Sequence, residues 1–284
     1  MPTFDDEHSK GFCSYCGNNG DVINHVSYIY PFFRKIDSIT PDSNKLRFCP
    51  NCAFILFSGM ANLYQKGPEL LFFFDSYNLK SLNKINKYFK DLDIIDPSDL
   101  NRVKKFNFYR SYHSYDNMFT ILFEFTKRAF QKELIIDIEN ISNEIRLIAL
   151  SGSDQLYESR VFESTTLNNF IRFFCSLFEQ GKNYESNINY KYSFEDIIMN
   201  GFFNNLIVDR SRDNFKEDTR LRNLFIKNLF SEKIDYETLN RIIMERIRNN
   251  KKNPIPFFYK IFILKYLEAF SMSEEKNIFE KLNA

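Results

Sequence analysis

Four cysteines near the start of the chain have the spacing of metal ligands. They form two Cys-x-x-Cys pairs, Cys13 with Cys16 in "CSYC" and Cys49 with Cys52 in "CPNC". Two residues between the sulfurs let one backbone turn present both thiolates to the same ion, and two such turns complete a tetrahedral set. Four cysteine ligands leave no position open for a substrate. The spacing therefore predicts a structural zinc ion.

Other uses of the same cysteines remain open at this point. An iron–sulfur cluster also takes four thiolates, and one pair alone can form a thioredoxin-like redox site in a βαβ setting. A decayed site that holds no ion is a further alternative. The N-terminus has no signal peptide pattern, so we expect a cytoplasmic protein whose cysteine pairs bind metal rather than form disulfides. The fifth cysteine, Cys175, lies on an apolar helical face and is interpreted as a core residue.

A histidine after the first pair supports a rival hypothesis. The order of motifs is similar to that of HNH-type endonucleases, in which a histidine activates water and a separate metal stabilises the leaving phosphate. In "INHVSYIYP", His25 takes the place of that general base, but Asn24 occupies the position where the motif has an acidic metal ligand. The alternative prediction is an HNH-like metal-dependent endonuclease that uses His25.

The charge of the chain limits how it can bind nucleic acid. Its 38 basic and 37 acidic residues give a net charge of +1, which excludes a general polyanion binder. Contacts with phosphates would come from local clusters such as "RVKK" and "RIRNNKKN", although a solvated helix face is the competing interpretation. The candidate phosphate-binding residues are Lys104, Lys105, Arg246, Arg248, Lys251 and Lys252. The sequence has no Walker A, GxGxxG, GxSxG or HExxH pattern that would indicate another catalytic site.

The patterning along the chain predicts an α+β fold in three parts. Residues 1–67 form the four-cysteine zinc-knuckle region, residues 68–164 a mixed α/β middle, and residues 165–284 a helical bundle. We expect a strand at "VSYIY", a helix after Cys52 that ends at Gly67-Pro68, and a buried strand at "ELLFFFD". Residues 133–164, with "ELIIDIE", "EIRLIAL" and "QLYESRVFES", should form two or three strands. Ser193 and Asp196 have the spacing of a capping box, which predicts the start of a helix. The segment 117–130 fits a helix or a strand. No apolar stretch is long and uncharged enough to span a bilayer, so we expect no membrane partner.

At the paired motifs the chain resembles a known family. "FCSYCGNNGDVINHVSYIYPFF" followed by "KLRFCPNCAFILFSGM" is similar to the CXXC-CXXC family of CRISPR-associated proteins, which are large subunits of type I interference complexes of the Cascade kind. The resemblance covers about residues 11–60. Only the four cysteines match the family pattern position by position.

The resemblance implies a non-catalytic role. Such a subunit helps recognise the short motif that flanks the target and binds DNA, while a separate helicase-nuclease cuts. Its partners would be the other CRISPR effector subunits, crRNA and target DNA. A zinc-containing interaction protein that binds no nucleic acid is the third hypothesis.

Overall fold

The computed structural model contains helices and sheets together, as an α+β sequence predicts. It describes residues 9–24, 47–59, 62–66, 70–96, 99–104, 114–152, 156–185, 193–199, 202–203, 209–210, 217–218, 220–249 and 257–282. The chain divides into two compact units. The first takes Met1–Asp75, Ile95–Lys104 and Leu147–Val161, and the second takes Ser76–Ile94, Lys105–Arg146 and Phe162–Ala284.

The first unit begins with a small antiparallel sheet that carries the cysteine pairs. Strands β1 (Ser9–Phe12) and β2 (Asn19–Asn24) form a hairpin, and β3 (Arg47–Phe48) pairs with the other edge of β2. Helix α1 (Pro50–Gly59) follows β3 after one residue. The sheet and the helix therefore bring the two Cys-x-x-Cys pairs to neighbouring positions.

A larger sheet of six strands completes the first unit. Its strands stand in the order β6-β7-β4-β5-β8-β9. They are β4 (Tyr64–Lys66), β5 (Leu70–Asp75), β6 (Ile95–Asp96), β7 (Asp99–Val103), β8 (Arg146–Gly152) and β9 (Leu156–Phe162). The apolar run "ELLFFFD" supplies β5, as predicted, and Leu70, Phe72 and Phe74 are buried there. A fully apolar strand suits this position because side chains on both faces of the sheet leave water.

The second unit is mainly helical. Its helices are α2 (Leu79–Asp91), α3 (Ser114–Gln131), α4 (Ile135–Ser142), α5 (Ser164–Glu185), α6 (Phe194–Ile197), α7 (Arg220–Phe230), α8 (Tyr236–Asn249) and α9 (Phe257–Leu282), with a short hairpin of β10 (Asp209–Arg210) and β11 (Glu217–Asp218). Helix α3 packs against α4, α5 and α7, and α5 also packs against α6 and α9. The α3 and α5 helices therefore form the centre of this unit.

Phenylalanine rings fill the core of the helical unit. Phe119 and Phe123 of α3 contact Phe174 of α5 edge-on, with ring centroids 5.7 and 5.2 Å apart. Edge-to-face contacts of this kind stabilise aromatic pairs beyond the area that they bury. A Cβ atom added at Gly181 of α5 would overlap the ring of Phe194, so glycine there lets α6 approach closely. The high phenylalanine content thus serves packing in this unit.

Two element predictions are wrong and an ambiguous one is resolved. "ELIIDIE" lies in helix α4 rather than in a strand, because Ile138 and Ile141 are buried at helical spacing. The helix after Cys52 ends at Gly59, and Tyr64–Lys66 form β4, in which Tyr64 is fully buried. The ambiguous segment 117–130 is helical within α3.

The start of helix α6 is confirmed. Ser193 caps α6 and its side chain accepts a hydrogen bond from the Asp196 amide, as the capping-box spacing predicts.

Every helix in the described ranges is too short or too polar to cross a lipid bilayer. The predicted strand "VSYIY" lies outside the described residues. The three-part division at residues 67 and 164 remains a prediction.

Candidate metal centre

The first cysteine pair lies in the turn of the β1–β2 hairpin. The Cys13 amide donates to the Asn18 carbonyl oxygen at 2.9 Å, and the Gly17 amide donates to the Cys13 carbonyl oxygen at 2.9 Å. Gly17 has a φ of +74°, which a residue with a Cβ atom adopts only with strain. This tight turn positions both Cys13 and Cys16 on one side of the hairpin.

The second pair lies where β3 meets α1. Cys49 directly precedes the helix, whose first residue is Pro50, and Cys52 lies in the first helical turn. Proline suits this position because the first amide of a helix has no partner within the helix. The Ala53 amide donates to the Cys49 carbonyl oxygen at 2.9 Å and starts the helical hydrogen bonds. The amide end of α1 therefore lies beside both sulfurs, where it favours negative charge.

Two hydrogen bonds join the pairs across a long sequence separation. The Ser14 amide donates to the Arg47 carbonyl oxygen at 2.7 Å, and the Arg47 amide donates to Ser14 Oγ at 3.1 Å. Next to them, Ile23 of β2 pairs with Phe48 of β3. We call the turn that carries Cys13 and Cys16 the first knuckle and the segment that carries Cys49 and Cys52 the second. These hydrogen bonds and strand pairs hold the backbones of the two knuckles together.

The four cysteine sulfurs converge on one point. All four Sγ atoms lie within 4.8 Å of one another, and Cys16 Sγ is 3.9 Å from Cys49 Sγ. Four sulfurs held at about 2.3 Å from a central ion are about 3.8 Å apart at the corners of a tetrahedron. A disulfide would need about 2.05 Å, and all four cysteines are free. The arrangement therefore fits a metal ion bound by four thiolates, and we call these residues the four-cysteine cluster.

The four-cysteine cluster has a buried side and an exposed side. Cys13 and Cys52 are 2% and 7% exposed, whereas Cys16 is exposed and Cys49 is half-buried. The buried pair packs in a small apolar core whose other members are Val22, Phe48 and Ala53. A metal ion at the centre would therefore link this core to the surface.

The pKa values of the two buried thiols, Cys13 and Cys52, shift in opposite directions. Burial disfavours the Cys13 thiolate, but backbone hydrogen bonds outweigh it and lower its pKa to about 6; they come from Cys16, Cys49 and Tyr15. Burial and the other cysteine sulfurs raise the pKa of Cys52 to about 12. Neighbouring thiolates repel one another, so all four ionise together only when a cation offsets their charge. A bound cation would therefore let all four cysteines ionise.

Among the described residues, no contact joins the other predicted site residues to the four-cysteine cluster. His25, Lys105, Lys251 and Lys252 lie outside the described residues. Lys104 is half-buried and directly follows β7. The backbone of Arg246 and of Arg248 belongs to α8, and their side chains lie outside the description. The nuclease alternative and the basic clusters therefore stay predictions.

Sequence reasoning predicted that the four cysteines converge but missed the residues that join the two pairs. Ser14 and Arg47 carry no pattern that points to a contact 33 residues apart. Glycine is the residue type that suits tight turns, and both Gly17 and Gly20 follow the first pair closely. Gly17 forms the turn, with a positive φ, whereas Gly20 lies in β2 opposite Gly11.

Comparisons with known proteins found no relative of this chain. No protein-family model, no curated protein and no solved structure matches the chain.

Proposed function

We propose that the chain is a non-catalytic binding protein whose N-terminal region is held together by a structural zinc ion. The convergence of the four cysteine sulfurs within 4.8 Å carries this proposal. Zinc is the ion that most often takes four thiolates in a tetrahedral site. Four protein ligands close its coordination sphere, so the metal would have no position for water or substrate and would serve structure alone.

The zinc ion would be necessary for this region to fold. Among the described residues, the apolar core beside the cluster consists of Val22, Phe48 and Ala53 besides the buried cysteines. Strands β1, β2 and β3 pair over four or fewer residues each. Such a small core supplies little hydrophobic stabilisation, and small domains of this kind depend on a metal or a disulfide. Zinc binding would then supply folding free energy.

The binding partner that we propose is a type I CRISPR surveillance complex. The support is the resemblance of residues 11–60 to the CXXC-CXXC family of large subunits, in which a second pair closes before a helix. In this chain α1 begins at Pro50, within the second pair. The chain would help recognise the target-flanking motif and bind target DNA, in contact with crRNA and the other effector subunits.

The experiment is isolation of the tagged chain from the cells that produce it, followed by sequencing of the bound RNA and identification of the bound proteins. We expect short RNAs that share a constant repeat-derived segment, together with CRISPR-associated subunits. Free protein without RNA, from cells that contain such RNAs, would contradict the CRISPR assignment. It would leave the zinc site intact as a hypothesis, because metal content is measured separately.

The same preparation tests the nuclease alternative. We expect no nicking of supercoiled plasmid with Mg²⁺ or Mn²⁺ present. Metal-dependent nicking that is lost in His25→Ala would contradict the non-catalytic proposal and support the HNH-like mechanism. Nicking that persists in His25→Ala would indicate a contaminating nuclease. A mobility shift with DNA that weakens with salt would count against the third hypothesis, an interaction protein without nucleic acid.

A further inference from the structure

We propose that the Cys16–Cys49 edge of the four-cysteine cluster is a redox-modification site. A peroxide-class oxidant would join Cys16 to Cys49 by a disulfide and release the zinc ion. The inference rests on the proposed zinc site and adds to it a defined product, a covalent link between the two knuckles rather than within one of them.

The distance between the two sulfurs permits this product. Cys16 Sγ and Cys49 Sγ lie 3.9 Å apart, on the two different knuckles. The Ser14–Arg47 hydrogen bonds join their backbones, so the two sulfurs are close together before the metal is lost. Closing the gap to the disulfide length of about 2.05 Å takes a movement of less than about 2 Å. Rotation of cysteine side chains can supply such a movement.

Accessibility selects the same two residues. Metal-bound cysteines are all thiolates, so access to solvent decides which of them an oxidant reaches first. Cys16 is exposed and Cys49 half-buried, whereas Cys13 and Cys52 are 2% and 7% exposed. A disulfide within either knuckle would have to include one of the two buried sulfurs. The exposed edge therefore reacts before either Cys-x-x-Cys pair.

The reaction balances with hydrogen peroxide as the oxidant. The Cys16 thiolate attacks a peroxide oxygen and breaks the O–O bond, which gives a sulfenic acid and hydroxide. The Cys49 thiolate then attacks the Cys16 sulfur, forms the S–S bond and expels a second hydroxide, and two protons from solvent convert both hydroxides to water. Two electrons leave the sulfurs and reduce the peroxide. The zinc ion loses two of its four ligands and dissociates, and a dithiol reductant would reverse the change.

The experiment begins with the metal content of the full-length chain and continues with oxidation. Zinc release is followed with a chromogenic chelator during a hydrogen peroxide titration. The oxidised protein is then alkylated, digested and analysed by mass spectrometry. Trypsin separates the knuckles, because residues 11–34 contain Cys13 and Cys16 and residues 48–66 contain Cys49 and Cys52. We expect zinc release to rise together with a linked pair of these peptides, and a dithiol to remove the link.

The cleavage chemistry also identifies which cysteines are joined. Tyr15 lies between Cys13 and Cys16, so chymotrypsin separates the first pair. Pro50 follows Cys49, and fragmentation before proline separates the second pair. The Cys175→Ser variant is the control, since this buried cysteine is outside the cluster and its loss should leave the linked peptide unchanged.

The outcomes separate this inference from the zinc proposal. Zinc that is present but is released with a Cys13–Cys16 or Cys49–Cys52 disulfide would overturn the inference alone. Retention of zinc at peroxide levels that oxidise a free small-molecule thiol would also overturn it. A chain purified without zinc would overturn the metal site and this inference together.

Discussion

Ser14 and Arg47 exchange two hydrogen bonds, and this is where the two cysteine knuckles meet. The Ser14 amide donates to the Arg47 carbonyl oxygen at 2.7 Å, and the Arg47 amide donates to Ser14 Oγ at 3.1 Å. Ser14 lies within the first Cys-x-x-Cys pair, and Arg47 lies two residues before the second. These bonds join residues 33 positions apart and so bring the two cysteine pairs into one cluster. The arrangement also predicts which changes outside the ligands weaken metal binding.

Replacement of Ser14 by alanine should weaken zinc binding. The substitution removes Oγ, so the Arg47 amide loses its acceptor, while the Ser14 amide still donates. Loss of one neutral hydrogen bond at an exposed position costs about 0.5–1 kcal/mol, or about a two- to five-fold loss of affinity. Competition with a chelator of known affinity measures the change. Ser14→Thr keeps the hydroxyl and is the matched control; an equal loss in both variants would contradict the role of this bond.

Alanine at Gly17 should weaken the site through the backbone alone. Gly17 has a φ of +74° and an added Cβ would meet nothing within 4 Å, so strain is the only penalty. A left-handed conformation costs an ordinary residue about 1–2 kcal/mol, which corresponds to about a five- to thirty-fold loss of zinc affinity. Gly20→Ala is the control, because its Cβ would also be unobstructed and its φ is not positive. Equal affinities of the two variants would show that the Gly17 turn does not position the ligands.

A buried ion pair should dominate the stability of the helical unit. Arg222 of α7 lies 3.1 Å from Asp116 Oδ2 of α3, and their side chains are 1% and 0% exposed. Loss of one partner leaves a buried charge uncompensated, so Arg222→Met should lower the free energy of unfolding by about 3–5 kcal/mol. Denaturant unfolding of the full-length chain, followed by circular dichroism, measures this change.

The control for the ion pair is an exposed one. Arg172 and Glu139 lie 3.8 Å apart with the arginine side chain 57% exposed, so Arg172→Met should change stability by less than about 1 kcal/mol. The double variant Arg222→Met with Asp116→Leu should recover part of the loss, because it removes both charges. Similar small effects of Arg222→Met and Arg172→Met would contradict the importance of the buried pair.

Cys175 should resist alkylation in the folded protein. Burial raises its pKa well above the usual range, and Glu139 and Glu179 raise it further, so the thiol stays protonated at neutral and mildly alkaline pH. Because the thiolate is the reactive form, raising the pH toward the normal cysteine pKa should not increase labelling. Iodoacetamide and mass spectrometry should show no label on Cys175 until denaturant is added. After zinc is removed by a chelator, the cluster cysteines should become labelled while Cys175 does not; early labelling of Cys175 would contradict its core position.

The two halves of the four-cysteine cluster were predictable because their signal is local. The spacing of Cys13 from Cys16 and of Cys49 from Cys52 follows from the geometry of a single turn. The apolar run of β5 and the capping of α6 by Ser193 were predictable for the same reason. Each depends on a few adjacent residues and on one physical preference.

The contacts that depend on distant residues could not be predicted. No sequence pattern around Ser14 or Arg47 indicates that these two residues are in contact. Likewise, no residue near Asp116 in the sequence identifies Arg222 as its partner. The error at "ELIIDIE" has a similar origin. Isoleucine favours strands by intrinsic preference, but burial of Ile138 and Ile141 on one face makes this segment a helix.

Metal analysis of the purified full-length chain tests the central claim most directly. Elemental analysis by mass spectrometry should find about one equivalent of zinc in the unmodified chain and in Cys175→Ser, and far less in Cys13→Ser and Cys49→Ser. Replacement of the zinc by Co²⁺ should give the absorption bands of a tetrahedral cobalt site with four thiolates. A chain that is purified without chelators and binds neither zinc nor Co²⁺, or that keeps its zinc in both ligand variants, would contradict the account.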